Sequence, residues 1–286
     1  MQRLIIVLVG LFILTGSSKA QMKYGFKAGL NIATLQAQEE LSSDGNSLET
    51  FSYYTGFHMG MTMDYPIVDR FGFRGELQFS QRGYDYQYDG DSYFIYNRFT
   101  DNQVIVKGRR AMSLLPRNSY IDLPIMAYLK PTDRLEFSLG FSVGILVGST
   151  ANGQLLFYPD ENTEFKTNLI YKPFGDEAGP VSNLPMITKN YQTQELVYPG
   201  TASAYFDFEE KDGPLYNRFD FGVLAGLSFW INEGIYIGGR VNYGLTDVTN
   251  NVYDVSLEDL DNKDFLFRED NDRNLYFQGF VGFRLN

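Results

Sequence analysis

Long and short connections alternate between the predicted β-strands of this chain, and this alternation constrains its fold more than any other feature. Apolar residues recur at every second position in eight segments, which is the period of a strand with two different faces. Transmembrane barrels have short turns on one side of the membrane and long loops on the other. The sequence therefore predicts an all-β fold, a single eight-stranded antiparallel transmembrane β-barrel with long extracellular loops. The long connections are 35–51, 83–118, 149–216 and 247–273, and the short ones are 66–70, 131–133 and 231–234.

Each predicted strand is long enough for a tilted membrane strand, which needs roughly nine to eleven residues. The apolar set of each strand is expected to face lipid and the small or polar set the lumen. A soluble sandwich could alternate in the same way, but it would rarely sort its connections by length. Pro124 removes one ladder donor, so we expect a local bulge or break there. The predicted strands are Tyr24–Thr34, Ser52–Tyr65, a segment from Phe71 to Arg82, Ser119–Lys130, Arg134–Gly148, Asn217–Trp230, Ile235–Thr246 and Asn274–Asn286.

Residues 1–20 have the pattern of a secretory signal peptide, with cleavage expected before Gln21. Arg3 supplies the positive charge, Leu4–Leu14 forms the apolar run, and Ser18 and Ala20 are small. A membrane anchor is the alternative, but this run is too short to span a bilayer as a helix. The remaining chain, 21–286, is predicted to form the barrel domain.

Composition excludes several classes of function. The chain has no cysteine, which excludes disulfides, thiolate metal sites and a catalytic thiol. Its net charge is −11, and loss of Arg3 and Lys19 with the leader makes it −13. This charge argues against nucleic acid as a partner, because nucleic-acid binding needs a basic face.

Charged residues of both signs occur at positions whose parity points into the lumen. The interior of an eight-stranded barrel is just wide enough to be filled by side chains. These charges are therefore predicted to form a paired network that offsets the cost of burying them, with a gate or a small ion path as the alternative. The predicted lumen charges are Lys27, Asp64, Arg74, Glu76, Arg82, Asp122, Glu136, Arg218, Asp220, Arg240 and Arg284.

His58 is the only histidine, so any histidine-dependent hydrolase would have to use it. Ser80 and Glu76 share its lumen parity on the neighbouring predicted strand, which makes a lipid-modifying constellation conceivable. No sequence motif supports it, and a lone histidine is usually structural. We therefore expect no catalytic residue and no cofactor.

The acidic excess lies in the long connections, where solvation, divalent-ion binding or partner binding could each use it. Asp259, Asp261 and Asp264 lack the spacing and the glycine of a calcium loop, so no metal site is predicted. Alternating tyrosines in 83–118 predict that the third and fourth strands continue beyond the membrane. The connection 149–216 contains a strand-like piece, Ala204–Phe208, and is expected to fold partly as a cap or an extended hairpin.

Four short motifs, in order and at suitable spacing, resemble the PorT-like outer-membrane β-barrel family. They are Lys23–Asn31 at the first strand, Glu76–Gly83 in the third, Ile121–Pro124 in the fourth and Tyr243–Asp247 at the end of the seventh. The resemblance covers the strands, implies a location in the bacterial outer membrane, and accounts for the proline in the fourth strand. The family's namesake is linked to type IX secretion, but most members have no assigned role.

We therefore expect a non-enzymatic outer-membrane barrel surrounded by outer-membrane lipid, with both termini periplasmic. Long loops are where function usually resides. The expected role is structural or partner-binding, through the extracellular loops, toward an envelope or secretion-system protein. A narrow pore with a charged lumen and a lipid-modifying barrel enzyme remain the alternatives.

Overall fold

The computed structural model describes residues 22–180 and 184–285, and it consists of β-strands joined by turns. The predicted leader, residues 1–20, lies outside the described residues. No helix within the described ranges is long and apolar enough to cross a membrane. The strands are β1 Lys23–Gln36, β2 Glu49–Val68, β3 Phe71–Tyr96, β4 Val104–Leu129, β5 Leu135–Asp160, β6 Thr163–Tyr171, β7 Met186–Tyr191, β8 Gln194–Pro199, β9 Thr201–Ala202, β10 Phe219–Trp230, β11 Ile235–Gly244, β12 Val255–Asp261, β13 Asp264–Phe267 and β14 Arg273–Leu285.

Eight of these strands close into an antiparallel barrel. Their order is β10-β11-β14-β1-β2-β3-β4-β5, and β10 pairs with β5 to complete the ring. Each barrel strand overlaps one of the eight predicted segments, and the predicted fold class is confirmed. Strand ends differ slightly from the prediction, since Pro66–Val68 continues β2 and the turn is reduced to 69–70.

The two faces of the barrel differ as the period-two pattern predicts. Apolar side chains such as Leu30, Met61, Leu139 and Phe283 point outward and are half to two-thirds exposed. These residues form the lipid-facing belt, because an outer-membrane barrel carries its apolar band on the outside. Polar and charged side chains from the alternate positions are buried inside. The short connections lie at the end where β1 begins and β14 ends, which is the periplasmic end in barrels of this type.

Pro124 interrupts the hydrogen-bond ladder between β3 and β4 but creates no bulge. The β3–β4 pairing lapses opposite Pro124 and resumes in the same register, from Gly75↔Ile125 to Gln78↔Asp122. The irregularity between β4 and β5 lies instead between Ser119 and Tyr120. The expected break is therefore present, because proline has no N–H to donate, and the expected bulge is not at this residue.

Three neighbouring strands rise far beyond the barrel on the extracellular side. β3, β4 and β5 each span 26 residues, so the tyrosine-rich connection 83–118 is mostly strand, as predicted. β6 continues the wall by pairing with β5, and β7 and β8 form a separate hairpin. Ala204–Phe208 is not a strand but a turn, with one isolated bridge between Tyr205 and Ala178. Its aromatic side chains pack into the interior, which produces the strand-like pattern.

We call this extracellular structure, formed by the upper parts of β3–β5 with β6–β9 and the segments 201–218 and 247–272, the cap. The cap encloses a hydrophobic core. In it the aromatic rings of Phe94, Tyr96, Phe157 and Phe165 pack together, with ring centroids 4.7–6.4 Å apart. β8 closes over this core with Leu196 and Tyr198. The longest connection is therefore folded, and part of the chain has a core outside the membrane.

Candidate functional site

The barrel lumen is filled by three layers of ion pairs, and the first lies near the short turns. Arg74 donates to Asp64 at 2.5 Å and to Glu136 at 2.6 Å. Arg284 adds a second cation to Asp64 at 2.6 Å, and Trp230 Nε1 donates to Glu136 at 3.1 Å. Both carboxylates are therefore bonded on more than one side.

The middle layer is centred on Glu76. Its Oε2 lies 2.6 Å from Lys27 Nζ and 3.0 Å from Arg240 Nη1. Arg240 also donates to Gln278 at 2.6 Å and to Gln78 at 3.3 Å. Two cations thus share one carboxylate, and the amide oxygens accept the remaining guanidinium protons.

The third layer lies where the lumen meets the cap. Arg82 pairs with Asp122 and donates to Asp220 at 2.6 Å. Its guanidinium also lies 4.3 Å from the ring centroid of Tyr120 and 4.2 Å from that of Tyr276. The arginine is held between two aromatic faces and two carboxylates, which suits a planar, delocalised cation.

Arg218 is the one predicted lumen charge that the structure places elsewhere. β10 begins at Phe219, so the strand alternation does not extend to Arg218. Its side chain is exposed, and its guanidinium lies 5.6 Å from the ring centroid of Phe174 in the cap. The prediction that Arg218 belongs to the lumen network is wrong. Lys130 was predicted only as the last residue of a strand and not as part of the network. Its Nζ lies 3.6 Å from Glu136 Oε2, so it joins the first layer.

His58 is buried in the lumen and holds a structural hydrogen bond. Its Nδ1 donates to Asn31 Oδ1 at 2.8 Å, and Asn31 Nδ2 donates to Ser80 Oγ at 3.0 Å. Glu76 is engaged by Lys27 and Arg240. Asn31 therefore lies between the histidine and the serine that a hydrolase would need to bring together.

A cavity of about 240 Å³ lies in the cap above the lumen. Most of its wall is apolar or aromatic, and its polar lining includes Glu49, Arg110, Ser203, Asp207, Asp254, Arg268 and Asp272. Sequence reasoning assigned none of these residues to a site, because they lie in connections whose folded course no local pattern specifies. One indication of the site was present in the sequence, the alternation within 83–118. This alternation places Arg110 on the same face of the sheet as the buried tyrosines Tyr86 and Tyr88 of β3.

Three aspartates form a carboxylate cluster at one side of this cavity. One oxygen each from Asp254, Asp270 and Asp272 lies within 4.8 Å of the others, which is close enough for the oxygen ligands of a divalent cation. Arg268 donates to Asp270 at 2.8 Å and lies 4.0 Å from Asp254. Burial and the neighbouring carboxylate raise the pKa of Asp254 to about 8, and burial raises the pKa of Asp272 to about 7.

The aspartates that the sequence analysis considered for calcium lie elsewhere. Asp261 and Asp264 are paired at the end of the β12–β13 hairpin. Asp259 lies 3.1 Å from Lys107, and both side chains are largely exposed. They do not converge on the carboxylate cluster.

A closed eight-stranded barrel with an apolar belt, a charged interior and a folded extracellular cap defines an outer-membrane β-barrel protein. Residues 17–250 match the family model described as "Outer membrane protein beta-barrel domain", and the chain belongs to this family. It is therefore a protein of the bacterial outer membrane.

The chain is similar to several solved outer-membrane barrels. They include the attachment invasion locus protein Ail of Yersinia pestis (9% identity, 92% of this chain and 98% of that chain, TM-score 0.36). Neisserial surface protein A has 11% identity, 92% and 97% coverage and a TM-score of 0.36. OprG from Pseudomonas aeruginosa has 10% identity, 92% and 96% coverage and a TM-score of 0.32. At these values the likeness says nothing about what this chain binds. No curated protein matches the chain.

Proposed function

We propose that this chain is a non-enzymatic, PorT-like component of the bacterial envelope that docks a protein partner through its extracellular cap. The observation that carries the proposal is the folded third connection. β8 is packed into the cap core, whereas β7, on the outside of the same hairpin, is exposed along nearly its whole length. A rigid core below and an open strand above are what strand addition by a partner requires.

β7 is suited to protein contact along its free edge. Met186 is 41% exposed and Ile187 is 37% exposed, and Lys189 is held in place by donating to the Glu164 carbonyl at 2.9 Å. Apolar side chains on an anchored edge strand provide both contact area and backbone hydrogen-bonding groups. We therefore propose β7 as the strand on which the partner docks.

The lumen supports a scaffold better than a pore. Three successive layers of ion pairs cross it, and every carboxylate in them is bonded to a buried cation. A narrow charged pore remains the second candidate, and it requires these layers to rearrange. A lipid-modifying enzyme is less well supported, because Asn31 separates His58 from Ser80.

Site-specific photo-crosslinking in intact cells tests the docking role. A photoreactive residue at Met186 should capture a discrete envelope protein, whereas one at Leu139 on the lipid-facing belt should not capture that protein. Capture that is equal at both positions, or absent at Met186 while the barrel is correctly inserted, would contradict the proposal. The enzyme alternative predicts an altered lipid A profile on overexpression that is lost in His58→Ala.

A further inference from the structure

The buried arginine Arg110 in the cap has no carboxylate partner. The other buried arginines of the described chain, Arg74, Arg82 and Arg240, each form an ion pair. Within residues 22–180 and 184–285, Arg110 is only 7% exposed and has no carboxylate oxygen within 4.0 Å. A buried cation without a counter-charge is costly.

The guanidinium is held in place but only partly satisfied. Its Nη2 donates to the Tyr93 carbonyl at 2.6 Å, and the cation lies 5.8 Å from the Tyr93 ring centroid. Its Nε has no hydrogen-bond partner. Ser203 Oγ, which is also buried in the cavity wall, has none either. Two polar groups with unused hydrogen-bonding capacity therefore line one cavity.

Apolar side chains make up much of the wall that Arg110 shares. Phe94, Met112, Leu155 and Leu169 line the same cavity. An apolar pocket with a few unsatisfied polar groups is the usual form of a small-molecule site. The cavity of about 240 Å³ has room for a small organic molecule.

None of the acidic residues of the cavity forms an ion pair with Arg110, although Asp207 is near enough to interact with it electrostatically. Glu49 is paired with Arg268 at 3.0 Å and accepts from Tyr86 at 2.8 Å. Asp254 and Asp272 belong to the carboxylate cluster beside Arg268, and neither forms an ion pair with Arg110. Asp207 lines the cavity but forms no ion pair with Arg110.

We propose that the cap cavity binds a small carboxylate with an apolar body, whose carboxylate pairs with Arg110 and whose body packs on Phe94, Leu155 and Leu169. A guanidinium is the side chain best matched to a carboxylate. An inorganic anion would leave the apolar wall unfilled. This site is independent of the docking role of β7, because it lies inside the cap and uses other residues.

The test is a titration of the purified full-length barrel with para-fluorophenylacetate, followed by fluorine NMR. Saturable binding is expected for this probe, with weaker binding of the neutral para-fluorophenylacetamide. Arg110→Met should weaken binding about tenfold or more, since it removes a charge-assisted hydrogen bond. Asp207→Asn should strengthen binding, because it removes a carboxylate that would repel the ligand.

Arg109→Met is the matched control. Arg109 precedes Arg110, but it is largely exposed on the other face of β4 and pairs with Asp89 at 2.6 Å. It should leave binding unchanged, and the heat-shifted gel migration of folded barrels should show that all variants are closed. Arg110→Lys provides a second measurement if Arg110→Met fails to fold, and it should retain part of the affinity. Absent saturation, equal binding to Arg110→Met, or full competition by inorganic phosphate would overturn the proposal.

Discussion

Arg82 on β3 donates to Asp220 on β10 at 2.6 Å, and this bond crosses the lumen between strands that are not neighbours in the barrel. The same guanidinium binds Asp122 and lies between two tyrosine rings. The ion pair therefore ties opposite walls of the barrel together where it meets the cap. Its contribution to the free energy of unfolding can be measured by substituting Arg82 and its two carboxylate partners, Asp122 and Asp220.

We expect Arg82→Met to lower the free energy of unfolding by about 3–5 kcal/mol, because it leaves two buried carboxylates without a cation. Urea unfolding in detergent, followed by gel migration of the closed barrel, measures this loss. The triple variant Arg82→Met, Asp122→Asn, Asp220→Asn should recover part of it. An Arg82→Met barrel as stable as the wild type would show that solvent already compensates these charges.

The filled lumen makes a prediction about conductance. The wild-type barrel should show no unit conductance in planar bilayers, because ion pairs occupy the lumen in three layers. Arg74→Ala, Arg240→Ala and Arg82→Ala together remove one cation from each of the three layers and should produce small openings. Regular openings of the wild-type barrel would support the pore alternative instead.

Two glycines across the β1–β14 seam should respond differently to substitution. A Cβ at Gly29 would meet the Gly279 carbonyl and the Phe280 Cα, the latter at 2.7 Å, and neither backbone can move without opening the seam. A Cβ at Gly279 would have nothing within 4 Å. Gly29→Ala should therefore cost about 1–3 kcal/mol or more, as overpacking does, and Gly279→Ala should be tolerated.

Urea midpoints for the two glycine variants, measured in the same detergent, make this comparison. Each change adds one methyl group within the same strand pair, at Gly29 on the lumen side and at Gly279 on the lipid side, which it shares with the exposed Phe277 and Val281. Equal midpoints for Gly29→Ala and Gly279→Ala would contradict the steric explanation.

The carboxylate cluster should loosen as the pH rises. The folded pKa of Asp254 is about 8 and that of Asp272 about 7, both above the ordinary aspartate value of 3.8. The folded cap therefore holds protons that the unfolded segment releases. The stabilising contribution is fully present below about pH 4 and is lost as the pH rises through about 7 to 8.

A single spin label can follow this change, because the chain has no cysteine. A label on Leu266→Cys, whose native side chain is 45% exposed, should become more mobile between about pH 6 and 9. Asp254→Asn should flatten this profile, and Asp259→Asn, an exposed change in the same connection, should not. An unchanged profile in Asp254→Asn would assign the transition to another group.

The sequence predicted the barrel well because its lipid-facing and lumen-facing residues alternate strictly. Asp122 and Leu123 show the limit of that signal: parity gives the face of each residue, but not that Asp122 pairs with Arg82. That pairing depends on the tilt and stagger of strands far apart in the chain. Arg218 was misplaced because parity carries no information on where a strand begins. The cap cavity was not predicted, because Arg110 and Ser203 meet only through the tertiary course of two connections.

The β1–β14 seam has a consequence for how the molecule is made. It pairs Tyr24 with Leu285 and continues to Gln36 and Arg273, so the first and last strands of the chain are joined by contacts between residues that are far apart in sequence. Such contacts form late. Before they form, β1 and β14 carry open hydrogen-bonding edges that lipid cannot satisfy. A barrel in which β1 and β14 are not yet paired is therefore unstable in the bilayer. Membrane insertion and barrel closure must then occur together.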